Sequence, residues 1–425
     1  MNIGVIIGRY QDIDGVSLET EKWIQVLQRM GHTIHVLAGG YPTYHNSASH
    51  HSLLASLSFF SPECEWEQKR AFFFPDEYPD VLLSHLERTT ELLTKEIFKW
   101  IVSNKLESLL VENASALPCH LSMGMAVKNI IDYGALHVVT HDHDFSWERG
   151  NRYISPHKEI MDIIDDTFPP KNPHVKHAVI NINAQKHLKE NFGIDAAVVP
   201  NVMDFSAPYA EKDTYNKDLL KDLGLGEKDK ALFQMTRIVK RKGILTAIDL
   251  IYRLQDPRIK LVISGTAADD ERMGYYKNLL SKIRNSNLKD NIVFAGQHIS
   301  HQRAKKRNGR PIYSLSDAYA HATACTYFSQ YEGFGNAFVE SVLAKRPIFV
   351  NNYKPVYWPD IGSKGFEAVM IENGELTDSA VSEIDRIIHD KKLCREIAEH
   401  NFALGKKYFS YEVLEGLLTE LFAFS

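Results

Sequence analysis

The stretch Ala324-Cys325-Thr326-Tyr327-Phe328, followed by Tyr331-Glu332-Gly333-Phe334-Gly335-Asn336-Ala337-Phe338-Val339-Glu340-Ser341, decides the fold class. Its first part is a short apolar, β-prone run. Its second opens on glycines and passes into helix-forming residues from Asn336 to Ala344, which stop at Lys345-Arg346-Pro347. The order is strand, glycine-rich turn, helix. Such a turn presents backbone N–H groups at the positive end of a helix dipole, a seat for phosphate. Glu332 in the turn and Glu340 in the helix flank that seat. Carboxylates repel phosphate and accept from hydroxyls, so the pattern points to a ligand that carries both, a nucleotide sugar.

Outward from this unit the same alternation repeats. Strands are predicted at Ala231 to Met235, Lys260 to Ser264, Asn291 to Phe294, Ala324 to Tyr327 and Ile348 to Val350, with helices between. The N-terminal half reads likewise. Ile3 to Ile7 form a strand and Asp12 to Gly15 a turn. Trp23, Val26, Leu27 and Met30 then lie on one face of a helix, and Thr33 to Leu37 returns as a strand. Further strands fall at Leu109 to Glu112, Leu136 to Thr140, Ala178 to Ile180 and Ala196 to Val199, with helices over Cys119 to Tyr133 and Ala184 to Asn191. Repeated β-α alternation implies parallel sheets covered by helices on both faces. The expected architecture is therefore α/β, two Rossmann-like doubly wound domains facing a cleft, with ligands at the carboxyl ends of the strands. Residues 1–203 form an N-terminal acceptor domain and 204–405 a nucleotide-sugar domain, with a hinge at Pro200-Asn201. Residues 406–425 form a C-terminal helix packing back on the N-terminal domain. Residues 41–105 read as irregular or inserted, rich in His, Ser, Phe and Pro between Tyr41 and Pro79.

At 425 residues the chain exceeds one ordinary core. Its 44% hydrophobic and 24% charged residues mark a folded chain, and a net charge of −5 gives no nucleic-acid footprint. The N-terminus lacks a basic leader, and no run of about 20 apolar residues follows, so no transmembrane segment is expected. The four cysteines, Cys64, Cys119, Cys325 and Cys394, show no C-x-x-C spacing, which fits a reducing, cytoplasmic setting. The oligomeric state is left open, a homo-oligomer included.

Two further segments carry chemistry. Thr236-Arg237-Ile238-Val239-Lys240-Arg241-Lys242-Gly243 follows the first strand of the second half, and Arg237 with Lys242 suits a diphosphate. Thr140-His141-Asp142-His143-Asp144-Phe145-Ser146-Trp147-Glu148-Arg149 ends a first-half strand. Alternation there lets His141 and His143 point together, as it does Asp142 and Asp144. A metal site, an ordinary loop and a sugar site all remain readings of this run; two ligands of one kind do not complete a metal site, and no metal is assigned.

Taken together, these segments resemble the family 4 retaining glycosyltransferases of GT-B fold. The resemblance rests on E-x7-E at Glu332 and Glu340, and on R-x4-K-G at Arg237, Lys242 and Gly243. Pro200-Asn201-Val202-Met203-Asp204 resembles the family's P-N-G-V-D linker with Val202 in place of glycine. Asp14-Gly15-Val16 resembles its N-terminal glycine loop, with one glycine where two are usual. The resemblance covers most of the chain apart from residues 41–105. It implies that Glu332 holds hydroxyls of the donor sugar and Glu340 those of the ribose. Arg237 and Lys242 would neutralise the diphosphate, with backbone N–H groups of Phe334, Gly335, Asn336 and Gly15. His143, with His141 as close competitor, would contact the hexose. The run is similar to H-D-F-x-W-E-R in the mannosylglucosylglycerate synthase-like subset, which glycosylates small anionic acceptors such as glucosylglycerate; there Arg149 and Arg9 would bind the acceptor's anionic group. The implied reaction is retaining transfer of a hexose from a nucleoside diphosphate sugar to a hydroxyl acceptor, with no cofactor required. A GT-B phosphorylase, a sugar-nucleotide epimerase and a non-catalytic sugar-nucleotide-binding protein are the alternatives.

Overall fold

The computed structural model of the chain describes residues 1–11, 14–41, 50–266 and 273–423. The chain divides into two compact units, Met1–Asn201 with Tyr411–Ser425, and Val202–Ser410.

Among the described residues the first unit carries a seven-stranded parallel sheet. Its strands are β1 (Asn2–Ile7), β2 (Thr33–Ala38), β3 (His51–Leu53), β4 (Ser108–Glu112), β5 (His137–Asp142), β6 (Val175–Val179) and β7 (Ala196–Val198). They lie in the order β3-β2-β1-β4-β5-β6-β7. The strand order therefore reverses between β1 and β4, the switch point where such sheets open a crevice at their carboxyl ends. Ile7 is level with Glu112, and Glu112 with His141, so these three residues share the carboxyl edge. β4 is buried throughout, which is why it reads as a continuous apolar run ending in an acid. The helix Gly15–Arg29 begins where the Asp14 carboxylate accepts the Val16 and Ser17 N–H groups, each at 3.0 Å. It buries Trp23, Val26 and Leu27.

The stretch read as irregular, 41–105, is largely regular. It contains β3, a helix Pro62–Gln68 running on through Lys69–Phe73, and the 24-residue helix Asp80–Ser103. That last helix buries Leu82, Leu86, Thr90, Leu93, Ile97, Trp100 and Ile101. This is a helical stripe whose period is interrupted in hydropathy by Thr90. Positions 42–49 of the stretch lie outside the described residues, as do two residues of the 12–15 turn.

Among the described residues the second unit has a six-stranded parallel sheet formed by β8 (Lys230–Gln234), β9 (Ile259–Ile263), β10 (Ile292–Phe294), β14 (Ala324–Tyr327), β15 (Ile348–Asn351) and β16 (Val369–Ile371). Their order is β10-β9-β8-β14-β15-β16, with the switch point between β8 and β14. A small sheet of β11 (Ile299–Ser300), β12 (Ala304–Lys305) and β13 (Pro311–Ser314) follows β10. Neither it nor β16 is evident from hydropathy, because two- to four-residue strands carry too few alternations to register. The unit's core joins Leu232, Leu261 and Phe349 of the sheet to Ile248 and Ile251 of the helix Ile244–Leu254 and Ile384 and Ile388 of the helix Asp378–His389.

The C-terminal helix is shorter than 406–425. Residues 406–409 still belong to the helix Lys391–Phe409, and a separate helix, Tyr411–Leu421, follows Ser410. This final helix lies on Gly15–Arg29 within the first unit: the Tyr411 hydroxyl donates to Gln25 at 3.1 Å, and the Arg29 guanidinium stands 4.9 Å from the Tyr411 ring centre. Among the described residues, no helix is long and apolar enough to cross a membrane.

Candidate active site

In the second unit the two loops at the switch point are stitched together by a buried glutamine. Gln234, the last residue of β8, donates from Nε2 to the Lys242 carbonyl at 2.8 Å and accepts from the Thr326 hydroxyl on β14 at 3.0 Å. The Gln330 N–H adds a bond to the Arg241 carbonyl at 2.7 Å. Gly243 closes the Lys240–Lys242 turn at a φ of +66°, where a Cβ would strike the Phe328 carbonyl.

This stitching places the Lys242 ammonium directly on Glu332 Oε1. Arg241 Nη1 lies 3.3 Å from Oε2 and donates to the Tyr331 carbonyl at 2.8 Å. Lys242 and Glu332 are each only 9% exposed. Burial alone would raise the Glu332 pKa, but Lys242 and then Arg241 outweigh it and hold the carboxyl below the usual glutamate range. For Lys242, burial works with the guanidinium groups of Arg241 and Arg237 against the attraction of Glu332, and the ammonium sits below the usual lysine range. Arg237 stands exposed on the same loop.

The glycine turn follows. Gly335, at a φ of +135°, precedes the helix Asn336–Leu343. A Cβ on it would collide with the Tyr353 hydroxyl, which donates to the Phe334 carbonyl at 2.9 Å. Phe334 buries its ring edge-on against Phe409, so only its backbone can serve a ligand. Glu340 is half-buried in the helix, and its Oε2 accepts from the Tyr319 hydroxyl at 3.1 Å. The structure thus brings Glu332 and Lys242 into contact and sets Arg237, the glycine turn and Glu340 around one switch point. Sequence reading missed Gln234, Arg241 and Tyr319. Arg241 was visible only as part of a basic run, and the other two act through long-range pairing.

In the first unit the strand-end run separates by face. His141 and His143 turn together, and both meet Glu112 at the end of the neighbouring β4. His141 Nδ1 is 3.0 Å from Glu112 Oε2 and 3.3 Å from Oε1, and His143 Nε2 is 3.5 Å from Oε2. Trp23 stacks on His141 with ring centres 3.9 Å apart. The two aspartates part company. Asp142 accepts from Thr140 at 2.8 Å and Ser115 at 3.3 Å, whereas Asp144 pairs with Arg149 at 2.7 Å. Asn113, in the left-handed region at a φ of +54°, accepts the His143 and Asp144 N–H groups at 3.0 and 3.2 Å. Neither Glu112 nor Asn113 was singled out from the sequence.

Glu112, His141 and His143 each offer a donor atom within 4.8 Å of the others, so they are the group to test for a metal ion. The His141 Nδ1 axis, however, meets hydrogen-bond geometry toward the carboxylate itself. A cation 2 Å along that axis, at roughly the usual imidazole–metal distance, would fall inside the Glu112 oxygen. His141 and Glu112 form a hydrogen-bonded acid–imidazole pair, with Nε2 of His143 facing the same carboxylate at 3.5 Å. Burial alone would raise the Glu112 pKa, but the two histidines lower it to about 2. His143 is held above the usual histidine range, since Glu112 overcomes burial.

Arg9 pairs with Asp14 at 3.1 Å and lies over the Phe60 ring. Gly15 is the first helical residue, with open space where a Cβ would stand. Asp14 already caps the N–H groups next to it, so a carboxylate occupies part of that helix end.

Two parallel-sheet units, each with its polar cluster at a switch point, and one with a cation pair beside a glycine turn, define a GT-B glycosyltransferase. A profile for Glycosyl transferases group 1 matches residues 216–403. A mannosylglucosylglycerate synthase of Thermotoga maritima is 31% identical over 99% of this chain and 99% of its own length. The chain belongs to the group 1 glycosyl transferases. Among solved structures, a glycosyltransferase from Rickettsia africae superposes with a TM-score of 0.66 at 13% identity, covering 99% of this chain and 97% of its own. The Anabaena protein HepE in complex with UDP-glucose does so with a TM-score of 0.63 at 13% identity, over 98% of each chain.

Proposed function

We propose that this glycosyltransferase moves a hexose from a nucleoside diphosphate sugar to a hydroxyl of a small anionic acceptor of the glycerate-glycoside class, with retention at the anomeric carbon. The observation that carries the reading is the Lys242–Glu332–Arg241 cluster beside the Gly335 turn. A sugar-reading carboxylate and a diphosphate-reading cation are held in contact, as a sugar joined to a diphosphate requires. The near full-length likeness to a mannosylglucosylglycerate synthase supports the acceptor class, and the likeness to a UDP-glucose complex supports the donor class.

In this reading the bond from C1 of the sugar to the diphosphate oxygen breaks, and the negative charge of the leaving group passes to Lys242, Arg237 and the N–H groups of Phe334, Gly335 and Asn336. Gly15 contributes a further N–H. The acceptor oxygen bonds to C1 on the same face, and its proton goes to the leaving phosphate oxygen. Glu332 holds the sugar hydroxyls and Glu340 the ribose. His143, with His141 behind it, contacts the hexose, and Arg149 and Arg9 exchange their aspartate partners for the acceptor's carboxylate. The chain's own cations serve the diphosphate, so no cofactor is called on. Closure that excludes water would suppress hydrolysis.

The test offers the purified protein UDP-, GDP- and ADP-hexoses with glucosylglycerate, glycerate and neutral sugars, and reads products and anomeric configuration by NMR. Transfer to an anionic acceptor with retention is expected. Phosphorolysis, isomerised donor without acceptor, or tight donor binding with no turnover would each replace this reading with one of its rivals.

A further inference from the structure

Glu112 belongs to no motif, yet the strand-end cluster is built on its charge. Glu112 and His141 are fully buried and His143 is 7% exposed. A carboxylate is costly to bury unless paired, and both of its oxygens face imidazole nitrogens. The far face of His141 is closed by Trp23, and its ring centre lies 4.2 Å from that of His143. Neither ring can turn without breaking these contacts. Asn113 fixes the backbone of His143 by accepting its N–H. Since Nε2 of His143 is turned to Glu112, its Nδ1 edge is the one left for a ligand.

We infer that Glu112 is a positioning residue for sugar transfer: through direct contact, and through His141, it sets the orientation and tautomer of His143, with the proton on Nε2 and Nδ1 presented to the hexose. This rests on the reading of His143 as the side chain that contacts the hexose. A cluster serving stability alone would close all its valences. Here Nε2 of His141 has no hydrogen-bond partner among the described residues and Nε2 of His143 faces only the Glu112 carboxylate, 3.5 Å away, so the cluster spends buried polarity on ring placement rather than on bond count.

The groups facing His143 are Glu112 from β4, His141 and Asp144 from β5 and its end, and Glu19 from the helix Gly15–Arg29, itself paired with Lys22 at 2.7 Å. Burial pushes the imidazole down, and Glu112, then Glu19 and Asp144, push it up. Neutralising Glu112 therefore moves any limb of the pH–rate profile that reports His143 to lower pH.

The experiment combines Glu112→Gln, Glu112→Asp and His143→Ala with pH profiles of kcat and kcat/KM, and with nitrogen-15 NMR of the wild-type histidines. Expected are a fall in kcat of roughly 10- to 100-fold for Glu112→Gln, little change in donor KM, a downward shift of the His143 limb, and recovery of the limb in Glu112→Asp. Neutral wild-type His143 should be the Nε2–H tautomer, a readout that survives even if the variants fail to fold. An unchanged pH profile and kcat in Glu112→Gln while His143→Ala is inactive, or an Nδ1–H tautomer, would overturn the inference. Unchanged transfer in His143→Ala would instead overturn the reading of His143 on which it rests.

Discussion

Replacing Lys242 with methionine removes the cation that touches Glu332 while keeping much of the side chain's volume. Two charges about 4 Å apart interact by about 4 kcal/mol at an effective dielectric of 20. Arg241 remains 3.3 Å from the other Glu332 oxygen, but its side chain is 40% exposed and replaces only part of that attraction. The expected loss is about 2–3 kcal/mol, which in a unit of this size lowers Tm by about 5–10 °C. Transfer should fall about 100- to 1000-fold with the diphosphate's cation gone. The double variant Lys242→Met/Glu332→Gln separates the two effects. With no unpaired carboxylate left, its Tm should return close to wild type, whereas transfer stays lost. Scanning calorimetry and a product-release assay on the three proteins provide the readouts. A single variant with wild-type Tm and wild-type transfer would refute both the pairing and the assignment; a double variant no more stable than the single would refute the electrostatic account alone.

Other outcomes follow from the same geometry. Tyr319→Phe removes the hydroxyl that donates to Glu340; the loss of about 1 kcal/mol should appear as a roughly fivefold rise in donor KM at near-constant kcat, and a kcat effect alone would contradict the ribose role. Gly335→Ala puts a Cβ into the Tyr353 hydroxyl at a φ of +135°, and should destabilise the second unit by about 3 kcal/mol, read by urea unfolding. On acidification the first unit should be stable above the normal glutamate range and lose stability as pH falls toward 2, because Glu112 and Glu67 are held at about 2 by their histidine partners against burial. The sign is fixed: a lowered folded-state pKa stabilises above the unfolded value and is lost below it. Glu67→Gln, which removes the titrating charge that accepts the His120 and Ser122 bonds, should flatten that pH dependence in a circular-dichroism titration.

The fold class was legible because parallel strands buried on both faces must be written as short continuous apolar runs, and the runs at Ile3, Leu109, Ala231 and Ile348 are of that kind. The glycine turn was legible because Gly335 and Gly243 stand where no Cβ fits. The regular helix Asp80–Ser103 was lost to a single polar residue in its stripe and to the unusual composition just ahead of it. In the candidate site, residues that announce themselves by local spacing were found: Lys242 and Glu332 meet, and His141 and His143 share a face. Residues that act across the sheet were not. Glu112 reaches His141 only because β4 and β5 pair in that register, and Gln234 reaches Thr326 only because β8 and β14 are neighbours. No local window of sequence contains either pairing.

The contact between Lys242, Arg241 and Glu332 has a consequence for which molecules can bind beside the glycine turn. A bare pair of cations at a glycine turn is a general trap for phosphate, sulfate and nucleotides, all abundant beside any donor sugar. Glu332 acts as an internal counter-ion that such anions must outcompete, and a small inorganic anion gains nothing when the displaced carboxylate is left in a buried place without hydroxyls to accept from. On the proposed reading a nucleotide sugar gives back what it takes: its diphosphate claims the cations while its hexose offers hydroxyls to the freed carboxylate. On the proposed reading these three side chains work as a filter, in which selectivity arises from the cost of separating them rather than from any added contact.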